Sequence, residues 1–123
     1  MSKWLFLALA GALGTLARVA LSEAVAARLG NALPWGTLVV NLLGSALFGV
    51  VFAATDQSPI APGVRLYALA GFMGAFTTFS SLMFDVSALA SSGRLMAAVL
   101  DLCLHNLLGL AAFGLGLGLG RSI

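Results

Sequence analysis

Four polar features interrupt an otherwise apolar chain. Each is of a type that holds ions or hydrogen-bond partners rather than one that breaks covalent bonds. Arg18 sits 14 residues after Trp4 inside a continuous apolar run, about 21 Å along a helix. A charge that deep in hydrocarbon costs at least a few kcal/mol. It must either snorkel toward Glu23 and Arg28 or face a wet cavity, where it would draw in anions. Thr37, Asn41 and Ser45 recur every four residues and form one polar stripe on a helix. Such a stripe either hydrogen-bonds to neighbouring helices or, through the Asn41 amide N–H groups, donates to an anion. Residues 71–81 read Gly-Phe-Met-Gly-Ala-Phe-Thr-Thr-Phe-Ser-Ser. Two glycines, two threonines and two serines make a poor continuous helix, so a break is expected there. Carbonyls unwound at a break suit a hard, Na⁺-like cation; the alternative is a packing face whose hydroxyls bond back to their own helix. Asp101 and His105 lie one helical turn apart. They either pair with each other, with Asn106 alongside, or carry a proton-linked function.

The aromatic rings belong to the same question. Phenylalanine near the middle of a span usually packs, but its ring edge is positive and can face an anion. A pore selective for a small, strongly hydrated anion must replace lost water with fixed donors. Asn41, Ser80, Ser81 and the edge of Phe79 are the groups able to supply them. Covalent chemistry is not expected, because the chain has no phosphate-binding loop, no nucleophile–base pair and no HExxH spacing. Its one cysteine, Cys103, excludes an intrachain disulfide. Cys103 and His105, two apart, point from different helical faces, so a transition-metal site is not expected either.

The elements that must position these residues follow from composition. The chain has 123 residues, 61% hydrophobic and 8% charged, with a mean hydropathy of +1.10. Soluble domains carry about 25% charged residues, so a water-soluble monomer is excluded, and so is a disordered chain. The net charge of +2 is too small to indicate a nucleic-acid binder. The length is that of a single domain, residues 1–123. Apolar stretches run from about Trp4 to Leu29, Pro34 to Ala54, Val64 to Leu89 and Leu95 to Leu119. Each reaches the ~20 residues that cross a bilayer, and in lipid they must be helices. An all-α membrane protein of four transmembrane helices results, with the third broken near its middle. The N-terminal Lys3 and apolar run resemble a signal peptide, yet the run continues past any cleavage site, so a retained first helix is expected. Pro34 suits the first turn of the second helix. Ser58, Pro59, Pro62 and Gly63 read as a turn rather than a helix.

With four spans, Lys3, Arg65 and Arg121 share one side while Arg28 and Arg94 share the other. That is almost no positive-inside bias, so insertion in both orientations and an antiparallel pairing of copies are expected. Small residues spaced four apart support close helix packing: Ser45 with Gly49, Gly71 with Ala75, Gly114 with Gly118, and Gly116 with Gly120.

Three ordered motifs carry a resemblance. Residues 11–18 (Gly-Ala-Leu-Gly-Thr-Leu-Ala-Arg), residues 36–45 (Gly-Thr-Leu-Val-Val-Asn-Leu-Leu-Gly-Ser) and residues 71–81 are similar to the first-, second- and third-helix motifs of the Fluc/CrcB family of small dual-topology fluoride channels. The resemblance covers most of the chain. It implies an antiparallel homodimer in a bacterial-type plasma membrane, with two fluoride pores lined by both subunits. It also implies a structural Na⁺ on the dimer axis, held by the backbone carbonyls of Gly74 and Thr77 from each copy. Asn41 would be the pore asparagine, Phe79 the first pore phenylalanine and Arg18 the vestibule arginine. Thr37 would belong to the same pathway, with Ser80 and Ser81 the polar pair after Phe79.

Several positions depart from the family pattern. Leu82 stands where the second pore phenylalanine is expected, and Phe84 lies on a different face. Asp85 replaces the usual glutamate. Asp101 and His105 replace a tyrosine and a serine, and a negative Asp101 beside an anion path would repel fluoride unless protonated or paired. Permeation is therefore expected to be slowed, altered or pH-sensitive. Two other functions remain open. A small proton-coupled multidrug exporter has similar length and topology, but it needs a glutamate inside the first helix, where this chain has Arg18. A non-conducting partner subunit of a heterodimeric channel would explain Leu82 and Asp101.

Overall fold

A computed structural model describes residues 2–30, 32–56 and 62–123. The elements are α1 (Ser2–Leu29), α2 (Trp35–Asp56), α3 (Pro62–Leu66), a π-helical segment (Tyr67–Met73), α4 (Gly74–Phe76), α5 (Phe79–Ser91) and α6 (Leu95–Gly120). Among the described residues, four helical stretches are long and apolar enough to cross a membrane: Ser2–Leu29, Trp35–Asp56, Pro62–Ser91 and Leu95–Gly120. The protein is thus a multi-pass membrane protein. Leucines and phenylalanines project outward along every stretch, and Gly14 is the buried residue of α1. In water such a surface would aggregate; in lipid it is the ordinary solvent-facing side.

Glycine sets the packing, as the spacing predicts, but not at every expected position. The α2–α6 seam is the most extensive contact between elements. A Cβ at Gly116 would overlap the Ala46 carbonyl, and one at Gly49 would overlap the Phe113 carbonyl. Backbones therefore touch where lipid offers no hydrophobic drive and close van der Waals contact must hold helices together. Gly71 lets α1 approach in the same way, since its Cβ would lie 2.8 Å from the Ala10 methyl. Gly114 and Gly118 differ: both face open space and take no part in packing within one chain.

The helix ends follow local chemistry. Gly30 and Gly93 hold positive φ values of +74° and +80°, which glycine adopts without a Cβ penalty just past a helix C-terminus. Arg94 donates from Nη2 to the Ala32 carbonyl, so the α1–α2 and α5–α6 turns share one end of the bundle. At the other end the expected turn over Ser58–Gly63 needs correction. Ser58 and Pro59 lie outside the described residues, but Pro62 and Gly63 are helical. Proline has no N–H to lose in a first turn, so Pro62 opens α3 rather than preventing it. Arg65 of α3 reaches back to Asp56 Oδ1 at 3.5 Å and stacks over the Phe52 ring at 4.6 Å.

Candidate functional site: a clamped helix break beside a polar cavity

Between α4 and α5 the chain leaves the helix for two residues. Thr77 has φ −80°, ψ 153° and Thr78 has φ −148°, ψ 113°. Hydroxyl side chains make this break. Threonine competes with the backbone for hydrogen bonds and so favours caps over helix interiors. Thr77 Oγ1 donates to the Met73 carbonyl at 3.0 Å, closing the helix before it. Thr78 Oγ1 accepts the Ser81 N–H at 3.2 Å, which makes Thr78 the N-cap of α5. Thr78 Oγ1 also donates to Ser81 Oγ at 3.0 Å and lies 3.3 Å from Ser80 Oγ.

Two side chains from distant helices hold the break open. Asn41 of α2 addresses both backbone groups of Thr78: its Oδ1 accepts the Thr78 N–H at 2.8 Å, and its Nδ2 donates to the Thr78 carbonyl at 3.1 Å. The side-chain amide thus pairs an extended residue as a neighbouring strand would. Arg18 of α1 donates from Nε to the Ala75 carbonyl at 3.3 Å. Gly44 brings α2 close enough for this, since a Cβ there would overlap Thr77 Cγ2.

The clamp has a further consequence for the backbone. In a continuous helix the Gly74 carbonyl takes the N–H of Thr78 and the Thr77 carbonyl takes that of Ser81. Here those N–H groups go to Asn41 Oδ1 and to Thr78 Oγ1. The carbonyls of Gly74 and Thr77 lose their helical donors together, and Gly74 is exposed. Oxygen ligands of this kind suit a hard cation. Among the described residues, no group of three or more His, Cys, Asp or Glu side chains is placed to hold a metal ion.

Beside the break lies a cavity of about 400 Å³. Its polar wall is Asn41, Ser45, Thr77, Thr78, His105 and Asn106; its apolar wall includes Phe48, Phe79, Leu82 and Phe113. Phe79 is 72% exposed in the single chain, while Leu82 is buried. Of the residues picked from the sequence, Asn41, Thr77, Phe79, Leu82 and His105 meet at this wall. Arg18, Thr37, Ser80, Ser81 and Gly74 lie outside it, the first at the back of the break and the serines in the first turn of α5.

Asp101 is fully buried behind His105. His105 Nδ1 stands 3.0 Å from the Asp101 main-chain carbonyl and 3.3 Å from its Oδ1. The carboxylate oxygens of Asp101, Nε2 of His105 and Oδ2 of Asp85 are buried without a hydrogen-bond partner among the described residues. Asp85 lines a second cavity of about 380 Å³ with Leu33, Pro34, Ala88, Leu89 and Ser92, at the end where Arg94 meets Ala32. Asp85 was not among the residues picked as a site. The signal was present, because an acid inside an apolar span obeys the same rule that singled out Arg18. Phe48 and Phe113, with ring centroids 6.3 Å apart, had no such signal.

Residues 5–117 match the family model described as "CrcB-like protein, Camphor Resistance (CrcB)". The chain belongs to the CrcB-like family. A relative from Solidesulfovibrio magneticus, named "Fluoride-specific ion channel FluC", is 48% identical over 96% of this chain and 95% of its own length. Proteins of the same name from Nitrosococcus oceani and Nitratidesulfovibrio vulgaris are each 43% identical, covering 98% and 100% of both chains respectively. The motif resemblance is therefore a full-length CrcB relationship, and the clamped break, the cavity and the buried Asp–His pair are features of a CrcB-like chain.

Proposed function

We propose that this CrcB-like chain is a passive fluoride channel, not an enzyme, which lets F⁻ leave the cell down its gradient. The observation that carries the reading is the cavity beside the break, walled by Asn41, Thr78, Phe79 and Ser45. It offers uncharged donors and ring edges in a space too apolar for a free charge, which is how a selective pore replaces hydration. The names of the full-length relatives point the same way.

The pore belongs to an antiparallel homodimer in a bacterial-type plasma membrane. The near-even charge of the two ends permits both orientations, and the outward-facing Gly74 and Phe79 leave the break side free for a second copy. A structural Na⁺ would be held by the freed carbonyls of Gly74 and Thr77, two from each copy. When bound, the cation would coordinate oxygens that the helix no longer pairs; Asn41 takes the Thr78 N–H that would otherwise go to the Gly74 carbonyl, and Arg18 bonds the Ala75 carbonyl between them. Asn41 retains one amide hydrogen beyond its bond to Thr78, available to an anion in the cavity. Arg18 and Thr37 supply the approach, and Ser80 and Ser81 order the first turn behind Phe79. Leu82 contributes a hydrophobic wall in place of a ring.

The test is ion efflux from liposomes containing the purified chain. F⁻ is expected to leave and Cl⁻ to be retained. Equal leakage of both would reject selectivity. No fluoride efflux from a well-folded dimer would favour a partner subunit that does not conduct alone.

A further inference from the structure

Passive conduction of an anion does not by itself call for Asp101 and His105, and a carboxylate beside the path repels its cargo unless it is protonated or paired. Their depths along the helices can be compared. α5 and α6 run antiparallel from the turn at Ser92–Arg94. Asp85 is seven residues before Ser92, and Asp101 is six residues after Leu95. Both therefore lie about 10 Å into the bundle from the same end, with His105 one turn deeper. Asp85 lines the outer cavity and His105 lines the inner one; Asp101, 0% exposed, stands beside His105. Asp85 and His105 thus each line a cavity, and Asp101, beside His105 and level with Asp85, lies between them in the bundle.

The imidazole is held so that its protonation changes the cavity wall. Nδ1 faces the Asp101 main-chain carbonyl at 3.0 Å and Asp101 Oδ1 at 3.3 Å. The carbonyl can only accept a hydrogen bond, so Nδ1 carries the proton of the neutral ring. Nε2 then carries the lone pair, and it is buried with no hydrogen-bond partner among the described residues. Taking up a second proton converts Nε2 from acceptor to N–H donor. The groups facing the ring are few. α5 contributes Phe79 and Leu82 to the wall that the ring shares, while its Asp85 acts electrostatically on Asp101; α2 contributes the uncharged Asn41 and Ser45. The titratable group described on α2 is Asp56 at its far end. Cys103 of α6 is exposed. Asp85 and Asp101 are thus the charges that set the balance, and each proton they or His105 take up makes the wall less hostile to an anion.

We propose that Asp85, Asp101 and His105 form a proton-binding site linked to halide occupancy of the inner cavity. Protons enter from the outer cavity by way of Asp85 and Asp101. The imidazolium of His105 then adds a positive charge to the wall that it shares with Asn41. The proposal rests on the fluoride reading and adds its regulation: fluoride and a proton favour each other's binding, and such coupling is reciprocal.

Two measurements on the full chain test it. First, fluoride efflux from liposomes is followed between about pH 8 and about pH 5, with protein-free liposomes subtracted at each pH to remove diffusion of HF. Efflux is expected to rise about fivefold or more as pH falls, and the rise is expected to vanish in Asp101→Asn and His105→Gln. Second, sodium fluoride is added to the detergent-solubilised protein in weak buffer, with sodium chloride as control. Proton uptake is expected with fluoride alone, and not in His105→Gln. If His105→Gln is not recovered folded, Asp85→Asn carries the comparison, with a reduced rise expected. A conducting wild type with a flat pH profile, or an unchanged profile in the variants, overturns the proposal. Absence of fluoride efflux at every pH strikes the channel reading instead. Proton uptake then decides this inference by itself, and its absence overturns it.

Discussion

Asn41 is where residue chemistry and fold meet. Its place on the Thr37–Asn41–Ser45 stripe marks it as a group that must find partners, but two kinds of partner were open: a neighbouring helix or an anion. The structure has it bonded to both backbone groups of Thr78 while it also lines the cavity. Replacement by aspartate separates these roles. Asn41→Asp keeps an acceptor for the Thr78 N–H, loses the donor to the Thr78 carbonyl and adds a negative charge to the wall. Fluoride efflux is expected to fall at least about tenfold, equivalent to ~1.4 kcal/mol on the barrier, read against wild type in the same liposomes. Thr78→Val removes the N-cap of α5. It is expected to cost about 1 kcal/mol of stability, seen as a lower thermal midpoint in detergent. The expectation that the Ser80 and Ser81 hydroxyls point to an ion meets a local competitor, since both lie within 3.3 Å of Thr78 Oγ1.

Helices were the most legible elements. Apolar length alone marks four spans, because a backbone in lipid has no partner but itself. The break was also legible as a region, but its position was not. Glycines and threonines both mark the region, yet Gly71 and Gly74 are helical, and the two extended residues are Thr77 and Thr78. The reason is that glycine merely weakens a helix, whereas threonine hydroxyls and the Asn41 amide offer the backbone replacement bonds. Spacing of small residues has the same limit. It marks faces that can pack, not those that do. Gly116→Val is expected to lower the detergent thermal midpoint by an amount corresponding to about 1–3 kcal/mol, because the added atoms would meet the Ala46 and Val50 backbone. Gly118→Ala, with open space around it, is expected to leave that midpoint unchanged.

At the scale of the whole molecule, one chain leaves much of its surface uncovered. α1 buries little, the break side is open, and Phe79 faces outward. The proposed antiparallel dimer makes a direct prediction about orientation. Lys3 is the chain's single lysine, and a membrane-impermeant amine reagent added to intact cells is expected to label about half of the copies if both orientations insert equally. Labelling of all or none would reject dual topology. By itself the sequence determined the number of spans, the region of the break, the family and the residues too polar for lipid, because the bilayer penalises each unpaired group wherever it lies along the chain. Which of those groups find one another was decided by the tertiary structure alone. Asn41 meets Thr78 across 37 residues and Arg18 meets Ala75 across 57, and Asp85 comes to the same depth as Asp101 because two helices run back along each other. Spacing along one helix predicts its faces; only packing between helices says what each face touches.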